Sequence, residues 1–263
     1  MKLNRQLFWS VASALIASAP LCVAEGKTIS QPRLGYTLTL PAGWEEIPGP
    51  AIEEQTRSVL AAAQGRMAQH FDDGFQRSGS LKWLQYPYIL VQVKETGRVP
   101  EGRLTHMKML RYGIQTGMDT TGKKLNSIVS NLSLGDTYYD PTNKCLLIRM
   151  SVNVARVGEV RALTRGFLTE KGMLLFHCYA PALEFDSQLP EFQEILDSVR
   201  LSDELRYKPR LGDSIGVDFS RVARSAFVCG ITAGLIGLGG LAVFAMKRLA
   251  ARKTPSPGPP PLP

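Results

Sequence analysis

The chain has 263 residues and a formal net charge of +8, from 31 Lys and Arg against 23 Asp and Glu, a balance that ordinarily raises nucleic acid as a partner. Its distribution points elsewhere. Residues 25–204 carry 20 basic and 21 acidic side chains, so the excess sits in residues 1–24, 205–224 and 247–253, at borders where anionic lipid headgroups attract it, and nucleic acid is not the expected partner.

Lys2 and Arg5 precede an apolar stretch from Leu7 to Ile16, and small residues lead to Cys22-Val23-Ala24. This is the layout of a signal peptide, residues 1–24, cleaved after Ala24. Leu21 stands where a lipobox needs a small residue, so lipoprotein processing at Cys22 is not expected. Left uncleaved, the segment would give the same topology with one more helix.

Residues 25–204 are long enough for one domain with its own core. Tyr36-Thr37-Leu38-Thr39-Leu40 alternates as a strand and ends in the turn Pro41-Ala42-Gly43 before Trp44. Ile52, Val59, Leu60, Ala63 and Met67 then fall at helical spacing, which predicts an amphipathic helix over 51–69. A strand is predicted from Trp83 to Lys94, with Ile89, Val91 and Val93 on one face and Pro87 marking an edge or a bulge. A second helix, about 102–116, carries Leu104, Met107, Leu110 and Ile114. Strands between Ser133 and Ala180 form a meander. A last helix closes the domain, with Asp186 or Ser187 as N-cap, Pro190 and Glu191 in its first turn, and Phe192, Ile195, Leu196 and Val199 inward.

Residues 205–224 read as a basic juxtamembrane linker. Phe227 to Met246 contains no charge, and at 1.5 Å per residue twenty residues span about 30 Å, the thickness of a bilayer core. A transmembrane helix is therefore predicted over 225–246. A signal peptide followed by one stop-transfer helix places the domain outside the cytoplasm, on the periplasmic side in a bacterium. Lys247, Arg248, Arg252 and Lys253 then lie inside, in a basic, Pro-rich cytoplasmic tail over 247–263. Within the helix, Ala226, Gly230 and Gly234 repeat at four-residue spacing, and Ala233 with Gly237 forms a second pair. Such strips let a partner helix approach, for self-association or pairing with another membrane protein, although glycine is frequent in membrane helices generally.

Three phrases carry a family resemblance: Tyr36-Thr37-Leu38-Thr39-Leu40-Pro41-Ala42-Gly43-Trp44, Leu174-Leu175-Phe176-His177-Cys178-Tyr179, and Phe192-Gln193-Glu194-Ile195-Leu196-Asp197-Ser198-Val199. In these, residues 28–201 resemble the PsbP-like family of extracytoplasmic domains, which includes DcrB-type bacterial proteins. The resemblance implies an α+β fold, an antiparallel β-sheet flanked by helices in an α/β/α sandwich. It implies a binding scaffold and supplies no shared catalytic residues.

The meander permits a closer reading. A three-residue loop Arg156-Val157-Gly158 pairs Ala155 with Glu159, and a loop Glu170-Lys171-Gly172 pairs Thr169 with Met173. Leu146, Ile148, Met150, Val152, Val154, Val160, Ala162, Leu168, Leu174, Phe176 and Cys178 then share the core face. Arg149, Arg165 and His177 lie side by side on the other, with Arg161 one step along. Like charges directly opposite are unfavourable unless a carboxylate intervenes. Either a covering helix supplies one, from Glu53, Glu54 or Glu101, or the row binds a small anion or an acidic partner surface. The same register puts Cys145 and Cys178 on opposite faces and beyond the ~7 Å reach of a disulfide, so both are expected as free thiols.

His70, His106 and His177 show no metal spacing, and the chain has no nucleophile elbow, phosphate loop or CxxC. No catalytic residue, metal or cofactor is expected. The expected function is a non-enzymatic interaction or scaffold module for a membrane or envelope complex. The alternatives are a small-anion-binding protein using Arg149, Arg161, Arg165 and His177, and an unrecognised hydrolase.

Overall fold

The computed structural model describes residues 26–62, 70–124, 129–211 and 213. Among these residues no helix is long and apolar enough to cross a membrane. The expected signal peptide 1–24, the run 225–246 with its Ala226, Gly230, Ala233, Gly234 and Gly237, and the tail 247–263 lie outside them.

A small antiparallel sheet is made by β1 (Lys27–Gln31), β2 (Tyr36–Leu40) and β10 (Arg200–Leu201), with β2 in the middle. The main sheet comprises β3 (Trp44–Glu46), β4 (Asp73–Arg77), β5 (Tyr88–Lys94), β6 (Val129–Asp140), β7 (Cys145–Val154), β8 (Gly158–Leu168) and β9 (Met173–Pro181). Its strands run in the order β3-β4-β5-β9-β8-β7-β6, every neighbouring pair antiparallel. The fold is α+β, as expected.

Helices α1 (Gly49–Ala62), α2 (Gly102–Thr105) and α3 (Met107–Lys124) cover one face of the main sheet. Leu110, Ile114 and Met118 recur every fourth residue on α3 and bury that stripe, with Ile52 and Leu104, against Leu90, Leu175 and Tyr179. The other face meets the small sheet and α4 (Ala182–Asp197): Leu38, Leu40, Phe185, Phe192 and Ile195 pack on Ile89, Val91, Leu174 and Phe176. The small sheet is pinned by the Tyr36 hydroxyl, which donates to the buried Asp73 carboxylate at 2.5 Å. Burial pushes both groups up, so the proton stays in this bond.

Several boundaries differ from expectation for local reasons. The strand expected from Trp83 begins at Tyr88, and Pro87 sits before it; β5 is an interior strand, so Pro87 marks neither edge nor bulge. The second helix is two, broken at His106, and continues to Lys124. The closing helix starts at Ala182, which leaves Pro190 inside it and Asp186 and Ser187 within the helix. Leu189 and Phe185 extend the stripe of Phe192 by one and two turns, and their packing in the second core offsets the amide that Pro190 lacks. Residues 63–69 of the expected first helix lie outside the described residues.

Both hairpin registers also differ. Val154 pairs with Gly158, so the first loop is Ala155-Arg156-Val157; this two-residue shift leaves the faces unchanged. Leu168 pairs with Met173, and this one-residue shift turns β9 over relative to β8. Thr169 and Gly172 exchange backbone hydrogen bonds at 2.9 and 3.4 Å, so the turn is the two residues Glu170-Lys171 and not the expected three. The chain that follows β10 also holds this turn, since Thr169 bridges to Arg206 and the Glu170 amide donates to the Leu205 carbonyl at 3.0 Å.

That following segment is not a free linker. Arg98 donates from Nη1 to Asp213 Oδ1 at 2.6 Å, from Nη2 to Oδ2 at 2.5 Å and from Nε to Glu170 Oε1 at 3.0 Å, while its guanidinium stacks 4.3 Å from the Tyr207 ring centroid. Glu170 also accepts the Lys208 amide at 2.9 Å and Arg210 Nη2 at 2.5 Å. The boundary expected at residue 204 therefore moves: the domain keeps hold of the chain as far as Asp213.

Two outcomes follow from this packing. A Cβ on Gly172 would lie 1.8 Å from the Lys94 carbonyl oxygen, so Gly172→Ala is expected to lose about 3 kcal/mol or more; an unchanged thermal midpoint would show that the hairpin moves aside freely. Arg98→Ala is expected to raise tryptic cleavage after Arg206 and Arg210 at least about tenfold by freeing the exit segment, and an unchanged cleavage rate would mean that other contacts suffice.

Candidate functional site

The face of the main sheet that meets α4 is covered only in part. Helix α4 lies over β8 and β9, while Leu147, Arg149, Ser151 and Asn153 on β7 are half-buried or exposed. Alternation places Arg149, Arg161 and Arg165 on this face together. They do not form a row. Arg149 is opposite Leu163, Arg161 opposite Ser151 and Arg165 opposite Leu147, so each arginine has a neutral partner and its nearest arginines are diagonal. The shifted first hairpin thereby removes the direct opposition of like charges.

Each arginine also has an acidic partner of its own. Arg149 Nη1 is 4.0 Å from Asp136 Oδ2, and Arg161 Nη1 donates to Asp186 Oδ2 at 3.2 Å with Glu159 at 3.7 Å from its Nε. Arg165 donates to Asp197. A covering helix does supply carboxylates, but they are Asp186 and Asp197 of α4 rather than Glu53, Glu54 or Glu101. Glu101 instead holds Lys144, whose Nζ is 2.9 Å from both its carboxylate oxygens.

His177 leaves the group altogether. The one-residue shift at β9 puts it opposite Thr164, on the α1–α3 side, fully buried. Its Nδ1 is 2.9 Å from Thr164 Oγ1, its ring stacks on Tyr179, and Phe71 meets it edge-on at 6.1 Å. Burial, and then the charge of Lys94, lower its pKa to about 3, so the imidazole is neutral. It cannot serve as a surface cation.

Arg165 opens onto a cavity. Its guanidinium lies 5.2 Å from the Phe167 ring centroid and its Nε donates to Cys145 Sγ at 3.4 Å. The cleft beside it, about 810 Å³, brings in Lys144, Arg200 and Arg206 at the rim and Phe167, Leu196, Leu201 and Tyr207 on the floor. Four separate stretches of chain contribute: the β6–β7 turn, β8, the end of α4 with β10, and the exit segment. A sequence offers no spacing that joins them, and the exit segment reads there as a juxtamembrane linker.

Cys145 and Cys178 are buried and unpaired, as expected, though for a different reason. Both face the α4 side and are separated by two strand spacings, about 10 Å before their offset along the strands is added. Among the described residues no group of three or more His, Cys, Asp or Glu is placed to hold a metal ion.

No family model and no curated relative matches the chain. Among solved structures it is similar to cyanobacterial PsbP (CyanoP) from Synechocystis sp. PCC 6803, with a TM-score of 0.46 at 14% identity over 71% of this chain and 98% of that one. The Ran-binding protein Mog1p of Saccharomyces cerevisiae gives 0.40 at 12% identity, over 68% and 97%. A Bacteroides thetaiotaomicron protein gives 0.36 at 12%, over 68% and 50%. With each of these TM-scores below 0.5, the likenesses assign no partner or activity to this chain.

The neutral His177 has a measurable consequence. An unfolded chain protonates this side chain near its ordinary 6.5, whereas the fold resists down to about 3. The unfolded state therefore binds the extra proton, and stability falls as pH is lowered through that window, by up to about 1.4 kcal/mol per pH unit from this group. His177→Gln is expected to flatten the plot of melting temperature against pH there, and an unchanged slope would contradict the buried neutral imidazole.

Proposed function

We propose that the chain is a single-pass membrane protein whose extracytoplasmic, PsbP-like domain acts as a non-catalytic module, holding a membrane or envelope protein through the uncovered face of β6 and β7 and the adjoining start of β8. The observation that carries this reading is that Arg149 and Arg161 stand on an otherwise half-covered sheet face, held by carboxylates, Asp136 and Asp186, that are themselves 85% and 80% exposed. Such exposed pairs contribute little. An acidic partner surface can replace them without leaving a charge buried, and guanidinium groups suit it geometrically.

The rest of the main sheet is occupied. Its α1–α3 side is filled by one apolar core and its α4 side, over β5, β9 and β8, by the other. The small-anion alternative loses its expected row, because His177 is inside the domain, and keeps Arg165 as its residue.

The experiment is purification of the full-length protein from its native membrane in mild detergent, with and without Arg149→Glu plus Arg161→Glu. A stoichiometric companion reduced at least about tenfold by the double charge reversal, at an unchanged melting temperature, is the expected result. A companion retained by that variant but lost on Gly230→Leu plus Gly234→Leu would move the interface to the membrane helix. No companion in any preparation would sink the module reading.

A further inference from the structure

The cleft beside Arg165 has the parts of a ligand site. Its volume of about 810 Å³ falls in the range of small-molecule sites, which pair an apolar lining with a few convergent polar groups. Its floor of Phe167, Leu196, Leu201 and Tyr207 is apolar, its rim carries Lys144, Arg200 and Arg206, and the buried Arg165 also lines it, with Asp197 as the one lining carboxylate.

How these charges are satisfied shows which group a ligand would meet. Lys144 is engaged by both oxygens of Glu101. Arg200 donates from Nη1 to the carbonyls of Asp197 and Val199, at 2.7 and 2.9 Å, and so caps the end of α4. Arg206 pairs with Asp203 at 3.2 Å, in solvent. Arg165 differs from all three. Its side chain is only 10% exposed, flat on Phe167 and fixed at Nε by Cys145, yet its carboxylate partner Asp197 is 67% exposed.

Asp197 is also the last residue of α4, at the negative end of the helix dipole, where a carboxylate is disfavoured. A preorganised, desolvated guanidinium is thus paired with an exposed acid that has water as an alternative. A carboxylate arriving along the floor can take the place of Asp197 on the Arg165 fork, while its apolar body covers Phe167 and Leu196.

We propose that this cleft binds an amphipathic carboxylate, an acid attached to an aromatic or aliphatic body, with Arg165 as the recognising residue and Asp197 as its built-in stand-in. The site deepens the small-anion alternative and is independent of the partner reading, which rests on Arg149 and Arg161. An acyl chain and the C-terminus of a peptide both present this chemistry.

The test is calorimetric titration of the full-length chain in non-ionic detergent with 3-phenylpropanoate and its amide. The acid is expected to bind with a Kd of about 1 mM or tighter and the amide at least about tenfold more weakly. Asp197→Asn, a change at an exposed side chain, is expected to tighten the acid at least about threefold, and Arg165→Lys, which keeps the charge and loses the fork, to weaken it about tenfold. Hexanoate and N-acetylphenylalanine distinguish an acyl chain from a peptide C-terminus by whichever binds more tightly. Equal binding of acid and amide, or no tightening on Asp197→Asn, overturns the proposal. Sulfate binding as tightly as the acid also overturns it, but leaves the small-anion alternative standing.

Discussion

The molecule is arranged around β9. This strand pairs along its length with β5 on one side and β8 on the other, and eight of its nine residues are buried. Leu174, Phe176 and Cys178 enter the core beneath α4 and the small sheet, while Leu175 and Tyr179 enter the core beneath α1 to α3. A strand committed on both faces cannot slide, because a one-residue slip would exchange every side chain between two cores of different shape. His177 is carried inward by this commitment and takes Thr164 as its one polar contact there. Arg165, opposite Phe176, is turned toward α4 and the cleft.

The same two-sided burial explains what was legible. Where one face is wet, alternation reveals the other: Leu146, Ile148, Met150, Val152 and Val154 were assigned to a common core face and lie there. Met173 to Ala180 is apolar at nearly every position, so period two carries no sign of which residues point which way. Its facing rested on the hairpin loop alone. The turn is the two residues Glu170-Lys171, closed by Thr169 and Gly172, and beside a strand apolar throughout nothing in the pattern separates a two-residue from a three-residue turn. The short strands were missed for related reasons. β4 buries Asp73 and Gln76 through specific bonds to Tyr36, Glu45, Lys82 and Leu84, and polar residues in a buried strand look like a loop until their partners are known.

The site was legible by residue type and not by arrangement. Three arginines at odd-numbered positions of adjacent strands were correctly placed on one face, yet the pairing sets them diagonally and gives each its own carboxylate. Electrostatics and register agree here: direct opposition of guanidinium groups is avoided, and the acids that remain within reach are exposed. Arg165 alone is desolvated, because Phe167 and the end of α4 close over it. Its position at the lower end of the face joins the arginine-bearing surface to the cleft.

The clamp on the exit segment links this surface to the anchor expected beyond it. Tyr207 and Arg206 line the cleft, and six residues after Tyr207 the side chain of Asp213 is held by Arg98, so the cleft and the last described residue belong to one packed unit. Eleven residues separate Asp213 from the uncharged run expected at 225–246, and even fully extended they reach about 40 Å. A tether counted from residue 204 would allow nearly twice that radius. The clamp therefore does more than trim a linker. If the chain is anchored as proposed, it holds the cleft within reach of the bilayer, where acids with apolar bodies concentrate because the interface accommodates both of their halves.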